Sequence, residues 1–310
     1  MREGSLPLVS VIIPVYNDTD RLKKCLEQLE SQTYPTQSYE VIVVDNASDE
    51  SPATAAEPYA HVRLIGETKP GSYAARNAAL DQAKGDFLAF TDSDCLPYPD
   101  WLAQGVKALM RMEGYGVVAG HVEINFRRLG KPNWVELYDS VTSLNQKRWA
   151  QQRHFAATAN AFTHKSVFDR IGLFNKVLKS GGDNEWGNRA AAAGYQIVYC
   201  PEAVVTHPAR SRFGQVLVKR RRLVGGELEK RLDGISRQDD AGRFFRLGHL
   251  VKVVWRSLLP HRDEMDIICH DQKLRGRWQR VKVATVFIAL HYMTVLERIC
   301  LRLGRDTERR

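Results

Sequence analysis

Two aspartates one residue apart, Asp92 and Asp94, stand where the apolar run Phe87, Leu88, Ala89 and Phe90 gives way to polar residues in GDFLAFTDSDC, residues 85–95. In an extended chain, residues i and i+2 point to the same side. Both carboxylates therefore face one way from the carboxyl end of a predicted strand. Two hard anionic oxygen donors so placed are half of a site for a divalent cation that keeps water or phosphate oxygens as its other ligands. Asp and Ser also favour solvated turns through bonds to their own backbone, and the spacing alone leaves both readings open. A second pair, Asp183 and Glu185, follows Gly181 and Gly182 at the start of a predicted helix that carries Arg189 and stops at Gly194. A carboxylate there stabilises the helix dipole. Held after glycines at a sheet edge, it is also where a general base would sit.

The elements that must hold these groups alternate. LVSVIIPV, residues 8–15, is a near-continuous β-branched run, as expected for a strand buried on both faces, and Pro14, Tyr16 and Asn17 break it into a loop. Leu22, Cys25, Leu26 and Leu29, at spacings of three and four, mark a helix that Asp18 or Thr19 caps. YEVIVV, residues 39–44, is a second buried strand that ends at Asp45. A helix over 52–58, a strand over 61–65, a glycine turn at 69–71 and a small-residue helix over 72–83 lead into the strand before Asp92. A helix over 101–112, a strand over 116–124 and short strands over 196–199 and 203–205 continue the rhythm. Strands alternating with helices predict a doubly wound α/β sheet. Ligands of such sheets sit at the carboxyl ends of the strands, where Asn17, Asp45 and Asp92 fall. The polar stretch 126–155, with Trp134, Tyr138 and Trp149, has no clear period and reads as a mobile lid facing an acceptor or as a plain surface excursion.

With 310 residues, 44% of them hydrophobic, the chain can bury one large core or two modest ones, which excludes disorder for its bulk. The formal charge of +9 is unevenly placed: residues 211–310 hold 23 Lys and Arg against 12 Asp and Glu. That cationic last third implies an anionic partner, a membrane surface or a nucleic acid. Nucleic acid is not expected, because the aromatics there interleave with aliphatics instead of forming a stacking platform. Five scattered cysteines without CxxC pairing point to a reducing compartment and exclude a disulfide framework and a structural zinc site. The N-terminus MREGSLPLVSVIIP lacks the apolar core of a secretory signal. The expected location is the cytoplasm, peripheral at the inner membrane face. FFRLGHLVKVVWRSLL, residues 244–259, sets Arg246, His249, Lys252 and Arg256 on one stripe of an otherwise apolar helix. That is the form of an interfacial helix, or of an amphipathic helix packed on the rest of the chain. VATVFIALHYMTVL, residues 283–296, falls short of the ~20 residues needed to span and reads as buried, shallowly inserted or in contact with another copy in a homo-oligomer. The run Lys219 to Arg222 would reach a diphosphate or an anionic lipid, or form a solvated face.

Four blocks in order resemble the motifs of family 2 glycosyltransferases: VSVIIPVYN (9–17), EVIVVDNASDE (40–50), GSYAARNAAL with GDFLAFTDSDC (71–95), and GGDNEWGNR (181–189). The resemblance implies the GT-A fold, a Rossmann-like, mixed, mostly parallel sheet flanked by helices. It implies a nucleotide-sugar-binding catalytic domain over 1–210, with a basic amphipathic helical region over 211–310. It also implies site residues. Pro14, Val15, Tyr16, Asn17 and Ser93 would line the nucleotide pocket, and Asp45 would bond the base; Asn46 stands where many members have a second Asp. Lys69 and Arg76 would lie near the base or diphosphate, unless Arg76 is a helix arginine paired with Asp81 or a backbone carbonyl. Asp92 and Asp94 match the DXD element. Asp94 would be the direct ligand of Mg2+ or Mn2+, and Asp92 a second ligand or the holder of the ribose or a metal-bound water. His207 matches a position that sometimes adds a metal contact, and a lone histidine beside proline is also commonly structural. Asp183 aligns with the catalytic base, although Gly182 replaces the Glu of many members; Glu185 is a possible substitute base or a cap. The implied reaction is an inverting, metal-dependent transfer from a nucleotide sugar, a UDP-sugar, to a hydroxyl of a glycan or lipid-linked acceptor. A sugar nucleotidyltransferase would need a Gly-rich phosphate loop after the first strand, and VIIPVYNDTD has no glycine. A non-catalytic binding module would have no need of Asp92, Asp94 and Asp183 together.

Overall fold

The β-branched runs become the centre of an eight-stranded sheet in the computed structural model, which describes residues 6–128, 130–235 and 262–302. Strands β1 (Val9–Val15), β2 (Tyr39–Asp45), β3 (Val62–Gly66) and β4 (Phe87–Thr91) are parallel, in the order β3-β2-β1-β4. The sheet continues beyond β4 through β7 (Asn160–His164), antiparallel to it, and then β6 (Gly116–Asn125), antiparallel to β7. Strand β8 (Gln196–Pro208) runs parallel to β6, and the two-residue β5 (Leu96–Pro97) closes the edge antiparallel to β8. Helices α1 (Thr19–Glu30), α2 (Ala53–Ala56), α3 (Ser72–Leu80) and α4 (Trp101–Met110) connect the early strands. Every residue of β1 is buried because both faces are covered. Val9, Val11 and Ile13 share one core with Leu22, Leu26 and Leu29 of α1, while Ile12 packs in the other with Ala75 and Ala79 of α3. Each such aliphatic side chain contributes about 1.5–3 kcal/mol by leaving water.

The two short strands expected over 196–199 and 203–205 are one strand, β8, whose register against β6 shifts between Gly120 and His121. The wholly buried Asn160 bridges the irregularity. Its Nδ2 donates to the carbonyls of His121 (2.8 Å) and Ala203 (2.9 Å), and its Oδ1 accepts from Trp101 Nε1 at 2.8 Å. The side chain thus satisfies carbonyls on both sides of the irregularity; a buried carbonyl left unpaired costs about 1–3 kcal/mol. The strand therefore continues, and the pairing Leu96↔Thr206 brings its far end beside the residues that follow Asp94.

The stretch 126–155 is not a plain surface excursion: it contains two helices with buried residues, α5 (Trp134–Thr142) and α6 (Gln146–Arg153). Asn133 and Glu136 form a capping box at the start of α5. The period is hidden because the buried face of α5 carries Glu136, Asp139 and Ser140 beside Leu137 and Tyr138. Helices α7 (Lys165–Ile171) and α8 (Gly182–Ala192) complete the elements before β8.

The chain divides into two compact units. The first, Met1–Asn125, Leu144–Val177 and Gly182–Pro208, contains the sheet. The second, Phe126–Ser143, Leu178–Gly181 and Ala209–Arg310, takes in α5 with α9 (Phe213–Ile235), α10 (Arg262–His270) and α11 (Arg277–Arg302). Its core includes Leu137, Val216, Ile268, Val283, Phe287 and Leu290. The basic run on α9 departs from a solvated face. Lys219 lies 3.7 Å from Asp139 Oδ1, Arg220 donates to the Tyr138 hydroxyl, and Arg221 lies 3.2 Å from Glu297 Oε2; Arg222 alone of the four is exposed. Burial opposes ionisation of Asp139, but Lys219 and Arg210 outweigh it and hold this carboxyl below the usual range. Helix α11 is also longer than the apolar stretch read from the sequence. Its segment Arg277–Cys300, 24 residues that include an 18-residue stretch of mean hydropathy 1.5, meets the length and composition of a membrane span. The expected interfacial helix over 244–259 lies outside the described residues.

Candidate active site

The carboxyl ends of β1, β2 and β4 open on one side of the sheet. After β4, Asp94 lies with its Oδ2 3.5 Å from Arg21 Nη1 and 3.5 Å from His207 Nε2. His207 is there because β5 pairs with β8. Its Nδ1 lies 2.8 Å from the Pro208 carbonyl, which can only accept, so Nδ1 carries a proton. Nε2 is the ring atom left to face Asp94, and unprotonated it is a nitrogen donor for a cation held between them. Asp92 takes a hydrogen bond from Arg76 Nη2, and Arg76, itself buried, also donates to the Ser72 carbonyl at 3.3 Å. Burial raises the Asp92 carboxyl above its usual range; Arg76 and His207 oppose this, while Asp94 and Asp183 add to it. Asp92, Asp94 and Cys95 bring ligand atoms within 4.8 Å of one another. Burial and both aspartates keep the Cys95 thiol protonated, so oxygen is what this cluster offers a hard cation. Ser93 Oγ donates to Asp18 Oδ2 (3.1 Å), the aspartate that also binds Arg21 at 2.7 Å.

At the ends of β1 and β2, Pro14 and Val15 are buried strand residues, whereas Tyr16 and Asn17 are exposed. Asn17, at φ 50°, exchanges hydrogen bonds of 2.8 Å with Asp49 and so ties the two loops together. Asp45 Oδ1 accepts from Ser48 N at 3.0 Å. Asn46 bonds the Glu67 and Lys69 carbonyls (2.9 and 2.8 Å) through Nδ2, and its Oδ1 accepts from Gly71 N at 2.7 Å. An aspartate could not donate to those carbonyls, which explains the amide here: it holds the loop that carries the exposed Lys69.

Asp183 begins α8. Its Oδ1 accepts from the Tyr73 hydroxyl at 3.2 Å and from Asn184 N at 2.8 Å. Gly182 before it has no room for a side chain, since a Cβ would lie 2.7 Å from the Tyr73 ring. The missing glutamate thus has a steric cause. Glu185 pairs with Arg189 through both oxygens (2.7 and 3.1 Å), and Arg189 in turn holds the Ile171 and Leu173 carbonyls. Of the two carboxylates, Glu185 is tied into the helix and its neighbouring loop. Tyr73 and Arg21 were not singled out from the sequence. Arg21 had a faint signal, its i,i+3 spacing from Asp18. Tyr73 had none, since its partner lies 110 residues away.

Residues 10–172 match the family model of glycosyl transferase family 2. The chain is 38% identical over 270 residues to glycosyltransferase AglE of Haloferax volcanii, covering 85% of this chain and 86% of that protein. The chain belongs to glycosyl transferase family 2. A more distant relative of this glycosyltransferase, 22% identical over 220 residues (66% of this chain, 67% of the other), is a dolichyl N-acetyl-α-D-glucosaminyl phosphate 3-β-D-2,3-diacetamido-2,3-dideoxy-β-D-glucuronosyltransferase of Methanococcus voltae. The glycosyltransferase shares its fold with mannosyltransferase PcManGT from Pyrobaculum calidifontis in complex with GDP-Man and Mn2+. That likeness has a TM-score of 0.62 at 21% identity and covers 96% of this chain and 88% of the other. The fold is the GT-A fold, and the protein is a transferase enzyme; the nucleotidyltransferase and inactive-module readings are set aside.

Proposed function

We propose that this glycosyltransferase moves a sugar from a UDP-sugar to a hydroxyl of a glycan or lipid-linked acceptor, with inversion at the anomeric carbon and with Mg2+ or Mn2+ bound at Asp94. The observation that carries the proposal is the gathering of Asp92, Asp94 and His207 at the strand ends, with Asp183 in electrostatic reach of Asp92. The donor set suits a hard divalent ion: Asp94 and Asp92 supply oxygens, and the oriented Nε2 of His207 a nitrogen. When bound, the metal neutralises the diphosphate and stabilises the leaving group. Arg76 fixes Asp92 from behind, and Arg21 lends positive charge beside Asp94. Tyr16, Asn17, Ser93 and Lys69 border the nucleotide, Pro14 and Val15 form the buried floor beneath them, and Asp45 bonds the base. Asp183 takes the proton of the acceptor hydroxyl as that oxygen bonds to the anomeric carbon, while the bond from that carbon to the diphosphate oxygen breaks on the opposite face. Residues 1–210 carry this chemistry. A lipid-linked acceptor accords with the dolichyl N-acetyl-α-D-glucosaminyl phosphate in the name of the Methanococcus relative, and GDP-Man in PcManGT makes guanine the alternative base. In a thermal-shift screen with Mn2+, a UDP-sugar is expected to stabilise the protein, by about 2.7 kcal/mol at one hundred times its Kd. No shift with any UDP, GDP or dTDP sugar would contradict the reading.

The second unit is proposed to dock on an anionic membrane surface through α11. One face of this helix is buried in the unit's core at Val283, Phe287 and Leu290, so lipid does not surround it as it would a span. The opposite face leaves Trp278, Val281, Ile288, Tyr292 and Leu296 exposed at helical spacing. Arg277 and Lys282 flank its first turn, and Lys282 lies over the half-exposed ring of Trp134. Aromatic rings beside cations and an apolar stripe suit the boundary between anionic head groups and acyl chains. The full chain is expected to sediment with phosphatidylglycerol-containing vesicles, and I288E/L296E to remain in solution. Equal sedimentation of the two would rule out this face, and a dimer that the same variant dissociates without vesicles would assign it to a second copy.

A further inference from the structure

We propose that Tyr73 is the positioning residue of Asp183, and that position 182 is glycine so that the tyrosine ring can reach it. The inference rests on Asp183 acting as the general base. A Cβ at Gly182 would lie 2.7, 2.8 and 2.9 Å from three carbons of the Tyr73 ring, well inside the ~3.5–4.0 Å at which carbons pack. Space, and not backbone conformation, is the constraint: Gly181 has a positive φ of 73°, and Gly182 does not.

The ring is fixed from its other sides. Phe174 packs against it at 5.7 Å between centroids, and the Arg76 guanidinium lies 5.8 Å from its centroid. Asn77, one turn along α3 from Tyr73, clamps the backbone of Phe174 by donating to its carbonyl (2.8 Å) and accepting from its N–H (3.1 Å). The hydroxyl at the end of this held ring donates to Asp183 Oδ1, which Asn184 N also binds. One carboxylate oxygen thus carries two donors, which orients the other to receive a proton. Burial and the neighbouring Asp183 charge keep the phenol protonated, so it remains a donor. A base held in this way loses little time in unproductive rotamers, and misplacement by about 1 Å can cost on the order of 100-fold in rate.

Tyr73→Phe keeps the ring and removes only the donor. It is expected to lower kcat by about 10- to 100-fold with donor KM and Tm near wild type, a split that a purely structural role would not give. Gly182→Ala is expected to lower both kcat and Tm by pushing on the ring. In a Tyr73→Ala background the same change is expected to leave Tm unaltered, because the two sites couple only through the ring. Wild-type kcat in Tyr73→Phe alongside an inactive Asp183→Asn would overturn the positioning role and leave the base intact. Wild-type turnover in Asp183→Asn would instead remove the base reading itself. Equal Tm losses from Gly182→Ala in both backgrounds would overturn the steric pairing. Tyr73→Phe carries the test even if Tyr73→Ala does not fold.

Discussion

Asp183→Asn is expected to lower kcat by about 10²- to 10⁴-fold, the usual contribution of a positioned base, or about 2.7–5.4 kcal/mol of transition-state stabilisation. The amide keeps the shape of the carboxylate and can still accept from Tyr73 and Asn184 through its oxygen. It presents no basic oxygen to the acceptor hydroxyl. The loss should therefore fall on kcat, with the donor still producing its thermal shift, since nothing in the proposed donor site is touched. If donor affinity falls as far as turnover, Asp183 is part of the donor pocket and not the base.

Asp94→Asn should fail differently. Its Oδ2 sits 3.5 Å from both Arg21 and His207, so the position is already shaped around one negative charge. Removing that charge weakens the proposed cation site and leaves two cationic or hydrogen-bonding neighbours facing a neutral amide. Turnover is expected to drop by about 10²- to 10³-fold, the scale seen when one group that stabilises developing charge is lost. The concentration of Mn2+ needed for half-maximal activity should rise, and the metal-dependent part of the thermal shift should disappear. Unchanged metal dependence in this variant would place the ion elsewhere.

The features readable in the sequence are those set by local chemistry. The β-branched runs of β1 and β2 are buried on both faces, as an all-parallel centre requires. The paired aspartates after β4 and the acidic start of α8 followed from strand and helix ends alone. What escaped is non-local or concerns polar residues turned inward. His207 is a candidate only through the family resemblance, because the contact that gives it a reason is non-local: β5, two residues long, pairs with the end of β8 and brings His207 to Asp94. That strand persists through its irregularity because one buried asparagine, Asn160, satisfies the carbonyls beside it. Helix α5 has no apolar period, since Glu136 is used in its capping box and Asp139 in pairing with Arg210 and Lys219. The same pairing turns most of a basic run that suggests a wet surface into half-buried ion pairs. Gly182 and Tyr73 were each visible as letters, and only their contact gives either one a reason.

The proposal of metal-dependent transfer centred on Asp94 is tested most directly by release of nucleoside diphosphate from a UDP-sugar and acceptor, measured before and after chelation. The wild-type chain is expected to release it, to stop when EDTA removes the metal, and to resume when Mn2+ or Mg2+ is restored, while Asp94→Asn stays near background throughout. Release that is indifferent to EDTA and equal in Asp94→Asn would contradict the proposal.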